Sequence, residues 1–148
     1  MSERKHEAKC MEELRKALPF ALLWKIRDTT TGGQPDLEVA WNQNTTKIEF
    51  KVLKGNETIH DKWEDERQLI TLVRYEQQTG LAWAVAWRPK YKKFEAATYI
   101  YRPTALLGKH IPPAKAWDGP RALWENGVAW VPGVRYDVVA ELIRGTHV

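Results

Sequence analysis

Apolar residues recur at helical spacing near the start of the chain. Cys10, Leu14, Ala17 and Leu18 fall at i, i+4, i+7 and i+8, and Pro19 ends the run. The spacing predicts a helix over 3–18 with one apolar face. Carried backwards, that face passes through Glu7 and then Glu3. A carboxylate on the buried side of a helix is costly unless it has a partner or a task; a wet helix end at Glu7 is the bland alternative. An apolar stretch over 20–26 predicts a strand, and the segment 28–34, with Gly32-Gly33, predicts turns. Two strands then flank the polar loop 42–45. Leu37, Val39 and Trp41 alternate on the first, and Ile48, Phe50 and Val52 on the second. Around a four-residue loop, Trp41 faces Thr46, Val39 faces Ile48 and Leu37 faces Phe50. That register puts Asp36 across from Lys51 and Glu38 across from Glu49, all on the side away from the apolar stripe.

Leu69, Leu72 and Val73 predict a second helix over 61–78, stopped by Gly80. In the run 81–87, Leu81, Trp83, Val85 and Trp87 alternate with Ala82, Ala84 and Ala86. A strand apolar on both faces belongs inside a sheet covered on both sides. A further strand is expected over 94–101, and a last helix over 137–144 with Val138, Val139, Leu142 and Ile143 as its packing side. Between them, Pro112-Pro113, Gly119-Pro120 and Pro132-Gly133 break the pattern into short pieces. The element order implies a mixed α/β domain, expected as one unit over 1–148 with its core at about 3–101 and a C-terminal elaboration over 102–148.

Composition narrows the class. A chain of 148 residues with 43% hydrophobic residues and eight Trp can build a core and is not disordered. Cys10 is the only cysteine, which excludes a disulfide scaffold, and its place on the apolar helix face reads as packing rather than as a thiol nucleophile. The longest apolar run, 81–87, is far below the roughly twenty residues of a membrane helix. With a charged N-terminus, this points to a soluble cytoplasmic protein. The four His are scattered without metal-ligand spacing, and no phosphate-loop pattern occurs.

The net charge of +4 is unevenly placed. Residues 1–60 hold ten basic and nine acidic side chains, whereas 88–121 hold eight basic and two acidic. Tyr91, Phe94, Tyr99 and Tyr101 interleave the basic residues, and Arg88, Lys90, Lys92, Lys93 and Arg102 are the candidate contacts to a polyanion. A solvated basic surface is the alternative. Trp117 and Trp124, among Pro and Gly, are candidates for stacking on exposed bases.

One cluster carries chemistry: Pro35-Asp36, then Glu49, Phe50 and Lys51. Two carboxylates and a lysine on adjacent strands suit metal-assisted phosphodiester hydrolysis. Carboxylates supply hard oxygen ligands for Mg²⁺, and the metal polarises a phosphoryl oxygen and acidifies a bound water. A lysine two residues from a ligand orients that water or offsets charge on phosphorus.

With its Pro35-Asp36, Glu49 and Lys51, the chain resembles the PD-(D/E)XK nuclease superfamily, and its element order over about 5–88 is most similar to Holliday-junction resolvases and the related VRR-NUC and phage-type nucleases. The resemblance implies a restriction-endonuclease-like core, a central mixed sheet flanked by helices. It implies Asp36 and Glu49 as metal ligands with the Phe50 backbone carbonyl, Lys51 as the catalytic lysine, and Glu7 as the helix-borne acid, with Glu3 as its fallback. Gln68 matches the polar residue that reaches the lysine or the scissile phosphate; an ordinary solvated helix position is its alternative. Glu38 is an extra acid, either part of a second metal site or a neighbour relieved by Lys47. The expected activity is a Mg²⁺-dependent endodeoxyribonuclease, with Mn²⁺ substituting, acting on DNA and selective for branched or junction structure, in a homodimer. A non-cleaving nucleic-acid-binding protein on the same fold and a metal-free charge lattice on a partner-binding protein are the competing readings.

Overall fold

The computed structural model describes residues 1–26, 35–63, 66–108 and 110–146. The turns expected over 28–34 lie outside them. Helix α1 (Glu3–Ala17) begins where the Ser2 side chain accepts the Lys5 N–H and ends at Leu18, as its apolar spacing requires. Strands β1 (Leu22–Lys25), β2 (Leu37–Trp41) and β3 (Asn44–Val52) follow, then helix α2 (Glu66–Thr79), β4 (Ala82–Arg88) and β5 (Ala97–Tyr101). The C-terminal part adds β6 (Lys115–Ala116), α3 (Arg121–Asn126), β7 (Val128–Pro132) and α4 (Asp137–Thr146). A short 3-10 turn at Ile59–Lys62 precedes α2, where one continuous helix from 61 was expected. Gly80 closes α2 with φ +70 and its N–H on the Glu76 carbonyl, the left-handed stop that a Cβ would strain.

The seven strands form one mixed sheet in the order β1-β2-β3-β4-β5-β7-β6. β3 and β4 run parallel, with α2 as their crossover, and the other pairs are antiparallel except β6 with β7. Both faces are covered. Trp83, Val85 and Trp87 of β4 join Phe50 and Ile48 of β3 in a core with Cys10 and Leu14 of α1 and Leu142 of α4. On the other face, Ala82, Ala84 and Ala86 meet Leu69, Leu72 and Val73 of α2. The large and small residues of β4 therefore choose the two layers, and a central mixed sheet flanked by helices is what the alternation demanded. Beyond 102, β7 pairs with β5, and the α4 residues Val138 and Leu142 pack into the α1 side of the core. Among the described residues, no helix is long and apolar enough to cross a membrane.

The β2–β3 hairpin corrects the expected register. Its loop is two residues, Asn42 and Gln43, both at positive φ (52° and 66°), and Trp41 pairs with Asn44, Val39 with Thr46 and Leu37 with Ile48. Left-handed geometry at both loop positions matches the right-handed twist of a tight hairpin. The slip is two residues, so every side chain keeps its face. Glu38 now opposes Lys47, and the two form an ion pair. Of the two roles considered for Glu38, the one with Lys47 is the arrangement seen.

Candidate metal and phosphodiester site

The site grows from a gap in the sheet. β2–β3 pairing ends at Leu37–Ile48, so β3 continues through Val52 without β2 beside it. Lys47 and Leu53 donate their N–H groups to the β4 side, so the alternating N–H groups of Phe50 and Val52 face the open edge. Carboxylates fill it. Asp36 Oδ2 accepts the Phe50 N–H at 2.9 Å, and the Glu3 carboxylate lies toward the Val52 N–H. In an extended strand a residue's C=O points with its N–H, so the Phe50 carbonyl faces the same edge.

Phe50 anchors this strand. Its side chain is buried on the α1 side and stacks on Trp87, with ring centroids 5.0 Å apart; Trp87 in turn stacks on His6 of α1. Glu49 and Lys51 therefore project to the α2 side. Helix α1 brings its acids to the gap from the opposite face. Oxygens of Glu3, Glu7 and Asp36 lie within 4.8 Å of one another. Glu7 is buried and paired with Lys25 of β1 at 3.0 Å. Both candidate helix acids thus reach the site, one turn apart on the same face.

Glu49 is 1% exposed and sits against the Asp36 carboxyl, with Lys51 Nζ at 3.5 Å from its Oε1. Its Oε2 is buried and has no hydrogen-bond partner among the described residues. Burial first, then the Asp36 charge, pushes the Glu49 carboxyl far above the usual carboxylate range. Burial and Asp36 likewise raise Glu3 and Glu7. Four carboxylates share a small volume with the ammonium groups of Lys25 and Lys51. Such a set resists full ionisation, the condition that a bound cation would relieve. The donor set is all oxygen, the chemistry of Mg²⁺ or Mn²⁺.

Lys51 is held on two further sides. Its Nζ donates to Gln68 Oε1 at 3.3 Å and lies over the Trp63 ring, 4.8 Å from the centroid. Gln68 thus faces the lysine. Trp63 and Lys25 were missed in the sequence. Lys25 had a signal, since it sits in β1 opposite Leu37 and beside Asp36. Trp63 lies between the 3-10 turn and α2, where no periodicity points to the site.

The basic residues divide into two groups. Arg88 donates to the Gly55 and Glu57 carbonyls and lies between the Phe94 and Tyr99 rings; Arg102 pairs with Glu76 at 2.9 Å and lies over Trp124. These guanidinium groups are committed to internal contacts. Lys90, Lys92 and Lys93 are exposed at the tip of the β4–β5 connection. Of the two tryptophans proposed to stack on bases, Trp124 is half exposed, whereas Trp117 donates its indole N–H to Glu141.

No protein-family model and no curated protein matches the chain. Among solved structures, it is similar to Hjc, a Holliday junction resolvase from the archaeal hyperthermophile Archaeoglobus fulgidus. The two share 17% identity over 73% of this chain and 83% of that one, with a TM-score of 0.44. The geometry of the site, rather than this likeness, carries the functional reading.

Proposed function

We propose that the protein is a Mg²⁺-dependent nuclease of the PD-(D/E)XK type that hydrolyses DNA phosphodiester bonds. One observation carries the reading: carboxylates from α1, β3 and the segment before β2 converge on the open edge of β3 beside a lysine, and a buried Glu49 oxygen has no partner among the described residues. Asp36, Glu49, the Phe50 carbonyl and an α1 acid, Glu7 or Glu3, would hold the metal. When bound, it supplies Lewis acidity toward a phosphoryl oxygen and acidifies a water. The protein's own groups do the rest. Gln68 and Trp63 fix the Lys51 ammonium, whose remaining N–H donors are available to the attacking water or to charge developing on the phosphoryl oxygens. Phe50, stacked on Trp87, keeps Glu49 and Lys51 directed to one side. The exposed lysines at the β4–β5 tip supply phosphate contacts, so affinity for DNA falls as salt rises. Selectivity for branched DNA and action as a homodimer belong to the same proposal.

The test incubates the pure protein with branched, linear duplex and single-stranded DNA, with Mg²⁺ and with EDTA. Mg²⁺ and Mn²⁺ binding is followed in parallel by calorimetry. Asp36→Asn and Glu49→Gln are expected to lose metal binding and cleavage, and Lys51→Ala to lose cleavage while keeping metal and DNA binding. Wild-type cleavage by Lys51→Ala would refute the assignment. Metal-free DNA binding with no cleavage would favour the non-cleaving binder, and no metal response of any kind would favour the charge lattice.

A further inference from the structure

A pocket of about 640 Å³ opens beside the site, and none of the residues argued above to hold the metal lines it. Its wall starts at Val52 and Leu53, directly after Lys51, and runs through Lys54 and Gly55. The opposite wall is the β4–β5 connection, with Lys90, Tyr91 and Lys92. The volume lies in the range of small-ligand pockets.

The pocket is held open by internal bonds. Arg88 fixes the near wall through the Gly55 and Glu57 carbonyls and is itself packed against the Phe94 and Tyr99 rings. An isolated backbone bridge joins Tyr91 and Phe94 through two hydrogen bonds, of 3.0 and 2.8 Å, and closes the far wall. Gly55 takes φ +57, and a Cβ there would stand 3.4 Å from Tyr91 Cδ1, in ordinary contact, so the ring lies close to this wall. Tyr91 therefore lies with one part of its ring against the backbone of the opposite wall and remains half exposed. Lys92, in the two-residue turn that the Tyr91–Phe94 bridge closes, adopts φ +50, and its Nζ sits 5.3 Å from the Tyr91 ring centroid.

An exposed aromatic ring, apolar walls and a rim of lysines together match one chemistry: a nucleobase to stack and phosphates to neutralise. Every base has a π-face, so stacking on tyrosine tolerates sequence, and lysines follow the backbone. A base can enter only if it has left the duplex stack. We propose that this pocket receives an unstacked nucleotide of the DNA strand lying in the site, so that the protein selects DNA with an unpaired nucleotide next to the scissile phosphate. The place of that nucleotide beside a scissile phosphate rests on the nuclease reading; the binding itself stands on the pocket.

The experiment measures binding in EDTA, by anisotropy, of a labelled continuous duplex, the same duplex with a single-nucleotide bulge, and a single strand. Wild-type protein is expected to prefer the bulged duplex and the single strand. Tyr91→Ala should weaken both roughly 5- to 100-fold and abolish the preference, whereas Tyr91→Phe stays within about twofold, as stacking without the hydroxyl requires. Equal wild-type affinity for bulged and continuous duplex overturns the proposal, and so does an unchanged preference in Tyr91→Ala. Cleavage of the same oligonucleotides with Mg²⁺ separates the two readings. A Tyr91-dependent preference without cleavage leaves the pocket assigned and removes the nuclease.

Discussion

Two buried glutamates, Glu76 of α2 and Glu49 of β3, could hardly be treated more differently. Glu76, near the C-terminal end, is 7% exposed and fully served. Its carboxylate pairs with Arg102 and accepts the Thr104 N–H at 2.8 Å and the Thr104 hydroxyl at 3.0 Å. Glu49 is more deeply buried, stands against another acid, and has one oxygen that finds no donor among the described residues. A fold that satisfies one buried carboxylate with three donors does not leave a second unserved for want of means. Under the proposed function local rules are broken where chemistry needs it, and the contrast is then one between a structural acid and a metal-holding one.

The comparison breaks first on activity. Lys51→Ala is expected to slow cleavage by about 10²–10³-fold, the scale of removing one donor aimed at transition-state charge, with little change in melting temperature. Glu76→Ala should do the reverse: lose about 2–4 kcal/mol of stability in urea melts, because Arg102 and Thr104 are left unpaired, while the surviving folded protein still binds metal. Comparable losses of stability in both variants would erase the distinction.

A pH titration sharpens it. The folded state raises Glu49, Glu3 and Glu7 above their ordinary value of 4.5, so it holds more protons than the unfolded chain above that pH. Stability of the metal-free protein is therefore greatest below about pH 4.5, as far as these groups determine it, and falls as pH rises toward their raised values. Glu49→Gln should flatten that decline in EDTA, and added Mg²⁺ should oppose it in the wild type. A decline unaltered by Glu49→Gln would place its origin elsewhere. The smallest effect concerns the ring beside the lysine. Trp63→Leu is expected to slow cleavage only about 2- to 10-fold, the size of a partly exposed cation–π contact, with DNA affinity unchanged.

How much of this was legible follows the range of the interactions. The period-2 pattern of 37–52 placed Glu38, Glu49 and Lys51 on one side, and that survived a register error because a slip of two preserves faces; Asp36, just before β2, reaches the edge of β3 instead of a paired position. The error came from the loop. Asn42-Gln43 lacks the glycine that usually announces a two-residue turn, yet both residues take left-handed geometry. Alternation in β4 forecast its two-sided burial, and all six residues from Ala82 to Trp87 are buried. Strand β7 was hidden among Pro and Gly because its identity depends on pairing with β5, some thirty residues away in sequence. At the site, the helix spacing that flagged Glu7 and Glu3 was local and readable. The Trp63 contact and the fixed roles of Arg88 and Arg102 depend on tertiary neighbours, which composition and spacing do not encode.

The carboxylates on the open edge of β3 have a second consequence, for solubility. An unpaired run of strand N–H groups invites another chain to add a strand there. Asp36 takes the Phe50 N–H and Glu3 lies toward that of Val52, so the acids proposed to hold a metal also fill the edge where another strand would add. Truncating them to alanine uncovers the edge, and aggregation could then pass for a catalytic defect. Asparagine and glutamine keep the acceptor, which makes them the substitutions that separate lost chemistry from a sticky strand.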